Sequence, residues 1–174
     1  MLKAEYDAIS PKDSFFVVSK GGMQSVLTEN LKPILPFMEA DLWISGNSIT
    51  ATMKDHTLRK YNLQGELIDD FLISNVDRLL YDTDEIRYTT AKNYDDEGNL
   101  TGETAEAEPT PYQKTANCKK YEAEIGWYGL MSPSGKVITP PRYCDITAIG
   151  YDLYLCKTDD IRGEVLNRKG VRIR

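Results

Sequence analysis

The feature that most constrains the fold is a turn-like element that recurs five times along the chain. Each copy has an apolar or aromatic residue, three mostly polar residues, an anchor position, and Ile or Thr three places after the anchor. The anchors are 34, 33, 37 and 35 residues apart, a regularity that chance explains poorly and that predicts a repeat unit of about 35 residues. The copies are LTENLKPI, YNLQGELI, YDDEGNLT, MSPSGKVI and LNRKGVRI, with anchors at Leu31, Gly65, Gly98, Gly135 and Gly170.

The chemistry of this element is that of a β-hairpin. An apolar strand enters, a polar turn follows, and Gly at the anchor supplies the positive φ that such a turn needs without steric cost. The first copy has Leu31 at the anchor, but the adjacent Asn30 tolerates the left-handed region better than most residues. We therefore expect a hairpin turn at each of the five copies.

The segments between the anchors also predict strands. Apolar and polar residues alternate over 49–53, 86–91 and 151–155, which is the period of a half-buried strand. Residues 15–18 are a short run of Phe and Val between polar boundaries, which favours a strand as well. The best helix candidate, 74–85, lacks convincing caps and is interpreted as a strand. The sequence therefore predicts an all-β fold.

We expect residues 1–174 to form a single β-repeat domain, because five units of about 35 residues account for the whole chain. The least regular stretch is 102–118, which is polar and contains Pro109 and Pro111. It is predicted to be a flexible loop between the third and fourth units.

The phase of the repeat bears on the architecture. The chain stops four residues after Gly170. Counted within the repeat unit, this end position nearly coincides with the position at which residue 1 begins. A closed, propeller-like ring would need this match, because the two terminal strands could then complete one sheet and remove its exposed edge. An open β-solenoid or ribbon is the alternative, and a fragment cut from a longer array at a repeat boundary would show the same phase.

One stretch resembles a known family. Residues 128–146 read YGLMSPSGKVITPPRYCDI, which is similar to the unit of the bacterial WG-repeat (KWG-type) family. Tyr128 stands where that family usually has its Trp, Trp127 lies one place earlier, and the other copies are more degenerate. The resemblance implies repeated β-structure and an interaction role, with no catalytic residues to carry over.

The charge of the chain limits its partners. A net charge of -6 disfavours binding to the phosphate backbone of a nucleic acid. Residues 95–113 carry six carboxylates and no Lys or Arg, whereas 157–174, which end at Arg174, carry six basic residues against three acidic ones. Two solvated surfaces are the simpler interpretation of this asymmetry, and two oppositely charged faces are the alternative.

The sequence predicts no membrane insertion. No stretch approaches the ~20 apolar residues of a membrane-spanning helix. The first ten residues lack the apolar core of a signal peptide, but a cleaved signal would be missing from the chain in any case. The compartment therefore stays open.

Few residues could carry chemistry. His56 is the only histidine and lies in a turn-like segment, and the run Asp95-Asp96-Glu97 lacks the ligand spacing of a calcium loop. The cysteines show no paired spacing, so neither a zinc site nor a disulfide framework is expected. They are Cys118, Cys144 and Cys156. We therefore expect no enzyme activity and no cofactor or metal, and an enzyme with two carboxylates contributed by different repeats is a distant alternative.

The remaining interpretation is a non-catalytic interaction module that binds a protein or peptide. The alternative is a carbohydrate-binding module of a surface or secreted protein, which would use exposed aromatic residues as stacking platforms. Trp43, Trp127 and Tyr128 are the candidate residues of such a binding surface, although packing between units would also explain both Trp residues.

Overall fold

The computed structural model describes residues 5–108 and 110–173; Pro109 and Arg174 lie outside the described residues. Within these ranges the protein is all-β, and no helix is long and apolar enough to cross a membrane. The strands of this part of the chain are β1 Ala8–Lys12, β2 Phe15–Lys20, β3 Met23–Thr28, β4 Ala40–Ser45, β5 Ser48–Met53, β6 Leu58–Asn62, β7 Leu67–Leu72, β8 Asn75–Asp82, β9 Tyr88–Tyr94, β10 Leu100–Ala107, β11 Gln113–Glu122, β12 Tyr128–Met131, β13 Asp145–Gly150, β14 Leu153–Lys157 and β15 Gly163–Asn167.

The described strands form several small antiparallel sheets. The first sheet is β1-β2-β3, the second is β4-β5-β6-β7, the third is β12-β11-β8 and the fourth is β13-β14-β15. Strands β9 and β10 form a separate two-stranded hairpin. This hairpin is inserted between β8 and β11, which pair directly with each other. The predicted all-β fold, including the strand expected within 74–85, is confirmed.

The five anchor positions lie in turns that share one hydrogen-bond pattern. In each turn the N–H of the anchor residue donates to the carbonyl of the residue three places before it. The N–H of that earlier residue donates in turn to the carbonyl of the residue directly after the anchor. The φ angle is positive at all five, from 60° at Leu31 to 90° at Gly135. Leu31 itself adopts this conformation, so the expectation that Asn30 would take it is wrong. In every copy the residue four places before the anchor pairs with the residue two places after it: Leu27 with Pro33, Tyr61 with Leu67, Tyr94 with Leu100, Met131 with Val137, and Leu166 with Arg172.

The first residue of each turn also stabilises it through its side chain. This residue is always Ser, Thr, Asn or Asp, and its side-chain oxygen accepts the N–H of the residue four places later. In the third copy the hydrogen bonds from Asn99 and Glu97 hold the pKa of the Asp95 carboxyl below its usual range. Asp95 is thus a turn-forming residue. The five residues are Thr28, Asn62, Asp95, Ser132 and Asn167.

The turn pattern is not confined to the anchors. Between β5 and β6 the N–H of His56 donates to Met53 and the N–H of Met53 donates to Thr57, with a φ of 66° at His56. Gly98 lies at the tip of the inserted β9–β10 hairpin, whereas the other four anchors follow the third strand of a three-stranded meander. The number of repeat units therefore cannot be read from turn geometry alone, and it stays a prediction.

The prediction of a loop over 102–118 is wrong for most of that stretch. Residues 100–107 form β10 and pair with β9, and residues 113–122 form β11. Pro111 lies between these two strands. Nearly every residue of β10 is exposed, although its backbone is paired with β9. The polar composition of this stretch therefore reflects exposure to solvent and not the absence of a strand.

The hydrophobic core consists of clusters that join consecutive sheets. Val26, Leu42 and Ile49 belong to the cluster between the first and second sheets. Among residues 5–108 and 110–173, no such cluster joins the first sheet to the fourth, and no closed ring is shown. The cluster between the third and fourth sheets contains Leu79, Ala116, Cys118, Leu130, Tyr143, Ile146, Ala148, Tyr154, Cys156 and Leu166.

The junction between the second and third sheets is the smallest of the three. Its cluster contains Tyr121, Ala123 and Met131, with Leu58 and Phe71 packed against it. Strand β3 lies against β4 and β8 lies against β13, but no comparable strand contact joins the second sheet to the third in the described ranges. Two well-packed pairs of sheets are therefore linked mainly through side chains.

Candidate binding surface

Trp43 is placed in solvent by the alternation of β4. Ala40, Leu42 and Ile44 point into the core and are buried, so Asp41 and Trp43 share the opposite face. Trp43 is 68% exposed, an unusual position for the largest apolar side chain. This exposure does not fit the alternative that Trp43 packs between units, and its place in a binding surface stays a prediction.

A concavity of about 370 Å³ lies beside Trp43, where the edge of the first sheet meets β4. Its lining is mainly apolar, which suits a side chain or a short peptide rather than a large ligand. The residues that line it are Ser10, Pro11, Lys12, Val17, Gln24, Leu42, Trp43 and Ile44.

Gln24 organises the wall between the two sheets. Its Oε1 accepts the N–H of Leu42 at 2.8 Å, and its Nε2 donates to Asp41 Oδ1 at 3.1 Å. One edge donor of β4 is thereby satisfied by a side chain. Pro11 has no N–H to offer on the facing edge strand β1. Gln24, Pro11 and Asp41 were not among the residues predicted from sequence, although the apolar–polar alternation of ADLWIS already places Asp41 and Trp43 on one face.

An acidic concavity of about 200 Å³ also borders β4, beside Asp41. Glu39, Asp41 and Glu124 line it together with Lys54 and His56. Lys54 Nζ lies 2.7 Å from Glu39 Oε2, and this hydrogen bond holds the pKa of the Glu39 carboxyl below its usual range. The surface along β4 therefore combines an exposed Trp with a carboxylate-rich end.

His56 and Trp127 join the second sheet to the third. Their rings stack at a centroid distance of 3.6 Å and an interplanar angle of 8°. The Nδ1 atom of His56 lies 2.7 Å from Glu124 Oε2. Trp127 is half-buried by this stack, so it packs between sheets instead of presenting an open platform. The interpretation of His56 as a turn residue is confirmed, and the stack adds a contact that the sequence did not indicate.

Tyr128 lies at a different junction. Its backbone pairs with Tyr143, and its ring packs against the cluster between the third and fourth sheets, with Lys120 Nζ 4.8 Å from the ring centroid. Burial, followed by the nearby Glu122 carboxylate, raises the pKa of the Tyr128 hydroxyl. Trp43, Trp127 and Tyr128 therefore contact three different junctions, and the structure does not bring them together as one surface.

The cysteines are free thiols in this structure. Cys118 and Cys156 are buried in the cluster between the third and fourth sheets, and burial raises the pKa of both thiols. Within the described residues, no group of three His, Cys, Asp or Glu side chains is arranged to hold a metal ion.

No protein-family model and no curated protein matches the chain. Among solved structures, the chain is similar to the computationally designed Ika8 protein, with 17% identity and a TM-score of 0.30 over 96% of this chain. The chain covers 60% of the length of that protein. A TM-score this low does not establish a shared architecture.

The contact of His56 with Glu124 gives a prediction about the junction. We expect Glu124→Ala to lower the free energy of unfolding by about 1 kcal/mol, because it removes a half-buried hydrogen bond. The measurement is urea unfolding of Glu124→Ala, His56→Ala and the double variant. The matched control is Glu29→Ala, at an exposed turn residue. Strictly additive losses in the double variant would contradict the contact.

Proposed function

We propose that this protein is a non-catalytic interaction module that binds an extended segment of another protein along β4, with Trp43 as the anchor. The observation that carries the proposal is the exposure of Trp43 next to an apolar concavity. Exposed Trp side chains dominate the energy of many interfaces, because they bury a large apolar area at a small cost in conformational entropy.

The backbone of β4 supports an extended ligand. In the β4–β5 ladder, Ser45 pairs with Ser48 across a two-residue turn, so Ile44 directs its N–H and carbonyl away from β5. Among the described residues, the Ile44 backbone has no partner on that outer side. A peptide strand placed there would pair with Ile44 alone, because Gln24 already accepts the Leu42 N–H. Since Ile44 is only 4% exposed, Trp43 would supply most of the contact with the peptide.

The charges beside Trp43 define the sequence of such a peptide. Asp41 lies two residues from Trp43 on the same face of β4, and Glu39 and Glu124 lie beyond it. A Lys or Arg of the ligand would face Asp41, because Glu39 and Glu124 already contact Lys54 and His56. An aromatic or aliphatic residue of the ligand would pack against Trp43. The preferred ligand is therefore an extended peptide with adjacent basic and apolar residues.

The test is a selection of peptides from a random display library, followed by affinity measurements with the best binders. We expect enriched peptides to carry a basic residue near an apolar one, and Trp43→Ala to weaken binding about tenfold or more. Asp41→Asn should relax the preference for the basic residue. The matched control is Tyr151→Ala, at an exposed aromatic residue in the turn between β13 and β14, which should bind as the original protein does.

Two outcomes would overturn the proposal. One is a set of peptides that bind Trp43→Ala as tightly as the original protein. The other is a library without enrichment together with glycan-array binding that Trp43→Ala abolishes, which would favour the carbohydrate-binding alternative. That alternative has support in the polar groups of Ser10, Gln24 and Asp41 around the exposed Trp43 ring.

The architecture proposed with this function is an open array of WG-repeat type. Three-stranded meanders begin at β1, β4, β8 and β13, and each leads into a turn with the shared pattern. The spacing of 70 residues between Gly65 and Gly135 is two unit lengths, since the third meander contains the β9–β10 insertion. Four units with one insertion account for these features better than five equal units. An open array leaves β4 accessible, as the proposed binding mode requires.

A further inference from the structure

Two like charges lie side by side on the third sheet. Arg78 of β8 and Lys119 of β11 are directly opposite in the antiparallel ladder, so their side chains share one face of the sheet. Like charges at such positions repel each other and destabilise a sheet. Neither side chain forms an ion pair within the described residues, and Lys119 Nζ donates to the carbonyl of Pro133 at 3.3 Å. The pair is therefore a local positive charge that no carboxylate of this part of the chain neutralises.

A β-bulge interrupts β11 immediately before this pair. Thr115 pairs with Leu80 and Lys119 pairs with Arg78, so residues 116–118 lie opposite a single residue of β8. Such a bulge bends its strand and re-aims the neighbouring side chains, and bulges are over-represented next to functional sites. The bulge thus makes a wall beside the two cations.

The bulge is attached firmly to the fourth sheet. The N–H of Asn117 donates to the carbonyl of Tyr151 at 2.9 Å, and its Nδ2 donates to Asp152 Oδ1 at 2.8 Å. The N–H of Cys118 donates to the hydroxyl of Tyr154, which is buried, at 2.7 Å. These hydrogen bonds fix the bulge in one conformation, so the wall is formed before any ligand arrives.

A concavity of about 310 Å³ lies between the bulge, the like-charge pair and the turn that carries Tyr151. Arg78 and Lys119 bring cationic donors to its lining, and Thr115 and Tyr151 carry hydroxyl groups that can donate to an oxyanion. Pro133 adds an apolar contact. No carboxylate is among the described residues that line it. Its size suits a small ligand, such as an anionic group with a short organic substituent.

The neighbouring carboxylates do not cancel this charge. Asp77 precedes Arg78, so it points to the opposite face of β8, where Lys120 is its cross-strand partner. Asp152 Oδ2 lies 3.5 Å from a guanidinium nitrogen of Arg168. The concavity is therefore locally positive in a chain whose net charge is -6.

We propose that Arg78 and Lys119 bind the phosphate group of a small phosphomonoester in this concavity. Arg can donate two parallel hydrogen bonds to a phosphate, and Lys adds a compact charge. A phosphomonoester carries a charge of about -1.5 to -2 near neutral pH, so it matches two cations better than a carboxylate does. Its organic group would contact Pro133 and the ring of Tyr151.

The test is isothermal titration calorimetry of the full chain with phenyl phosphate, inorganic phosphate and benzoate. Salt of about 0.15 M shortens the screening length to about 8 Å and suppresses the effect of distant charges. We expect phenyl phosphate to bind more tightly than inorganic phosphate, because its ring adds apolar contact. Benzoate has the ring but only one charge, and should bind at least about tenfold more weakly than phenyl phosphate. Arg78→Gln and Lys119→Gln should each weaken phenyl phosphate binding about tenfold or more.

Urea unfolding shows whether the variants are folded and gives a second measure of binding. Without phosphate, Arg78→Gln and Lys119→Gln should unfold at the same urea concentration as the original protein or a higher one, because each removes the repulsion. Phenyl phosphate should raise the midpoint of the original protein more than that of either variant. Comparison with the variants is needed because phosphate salts also stabilise folded proteins by exclusion from their surfaces. The matched control is Arg59→Gln, at an exposed Arg in β6, which should bind phenyl phosphate as the original protein does.

Three results would overturn the proposal. They are phenyl phosphate that neither produces heat nor raises the urea midpoint, benzoate that binds as tightly as phenyl phosphate, and binding that neither substitution weakens. The concavity shares no lining residue with the one beside Trp43. Trp43→Ala should therefore bind phenyl phosphate unchanged, and failure of the phosphate proposal would leave the peptide-binding proposal intact.

Discussion

Gly65→Ala should be among the most destabilising single-methyl additions in this chain, with a loss of about 2–5 kcal/mol in the free energy of unfolding. Two effects combine at this position. Its φ of 86° strains any residue with a Cβ atom. That Cβ would also clash with the backbone carbonyl oxygen of Ile34, which cannot move aside like a flexible side chain. Because small domains have a total stability of only about 5–15 kcal/mol, the loss should be measurable by urea unfolding.

Gly135→Ala is the matched control, because it separates the two effects. Gly135 has a φ of 90° in a turn with the same hydrogen bonds, but a Cβ there would meet nothing within 4 Å. We expect it to lose only the conformational contribution, about 1–2 kcal/mol. Equal losses for the two variants would show that the close approach of Gly65 to Ile34 is unimportant, and would contradict the packing of the first sheet against the second.

The sequence predicted the turns well because their chemistry is local. An anchor with positive φ and a polar side chain three places earlier determine the turn without help from distant residues, as at Gly135 and Ser132. The position of Gly98 was harder to interpret, since its turn has the same local pattern. Only the direct pairing of β8 with β11 reveals that the hairpin around Gly98 is an insertion. That pairing joins residues that are between 31 (Gln113 and Asp82) and 47 (Glu122 and Asn75) positions apart, and it leaves no local signal in the sequence.

The candidate surface could be predicted only in part, for a related reason. Trp43 alternates with buried neighbours along its own strand, so its exposure follows from a local pattern. Trp127 and Tyr128 are adjacent in sequence, yet one stacks on His56 and the other packs against the opposite junction. Which Trp is covered depends on tertiary contacts between sheets. A list of aromatic residues therefore cannot by itself identify a binding surface.

We expect stability to fall steeply between about pH 9 and pH 12, because buried tyrosines and thiols must stay neutral in the folded protein. Burial raises the pKa of Tyr143 and of Cys156 to about 12, and it also raises the pKa of Tyr121 and Tyr154. In the unfolded chain Tyr titrates near pH 10 and Cys near 8.5. Between these values and the folded pKa the unfolded state binds fewer protons, so rising pH favours unfolding. The stabilisation is fully present below the unfolded pKa values. Urea unfolding at a series of pH values, with tyrosinate absorbance of the native protein, measures the effect.

Tyr121→Phe tests the origin of this pH dependence. The Tyr121 hydroxyl donates to the carbonyl of Thr139 at 2.6 Å, and its loss should cost about 1 kcal/mol near neutral pH. The variant has one titrating group fewer, so its free energy of unfolding should fall less steeply above pH 10. The difference between the two slopes should be up to about 1.4 kcal/mol per pH unit. Tyr88→Phe is the control, because the exposed Tyr88 should change neither quantity. A Tyr121→Phe variant that loses stability with the same slope as the original protein would show that Tyr121 is not held neutral by its burial between the second and third sheets.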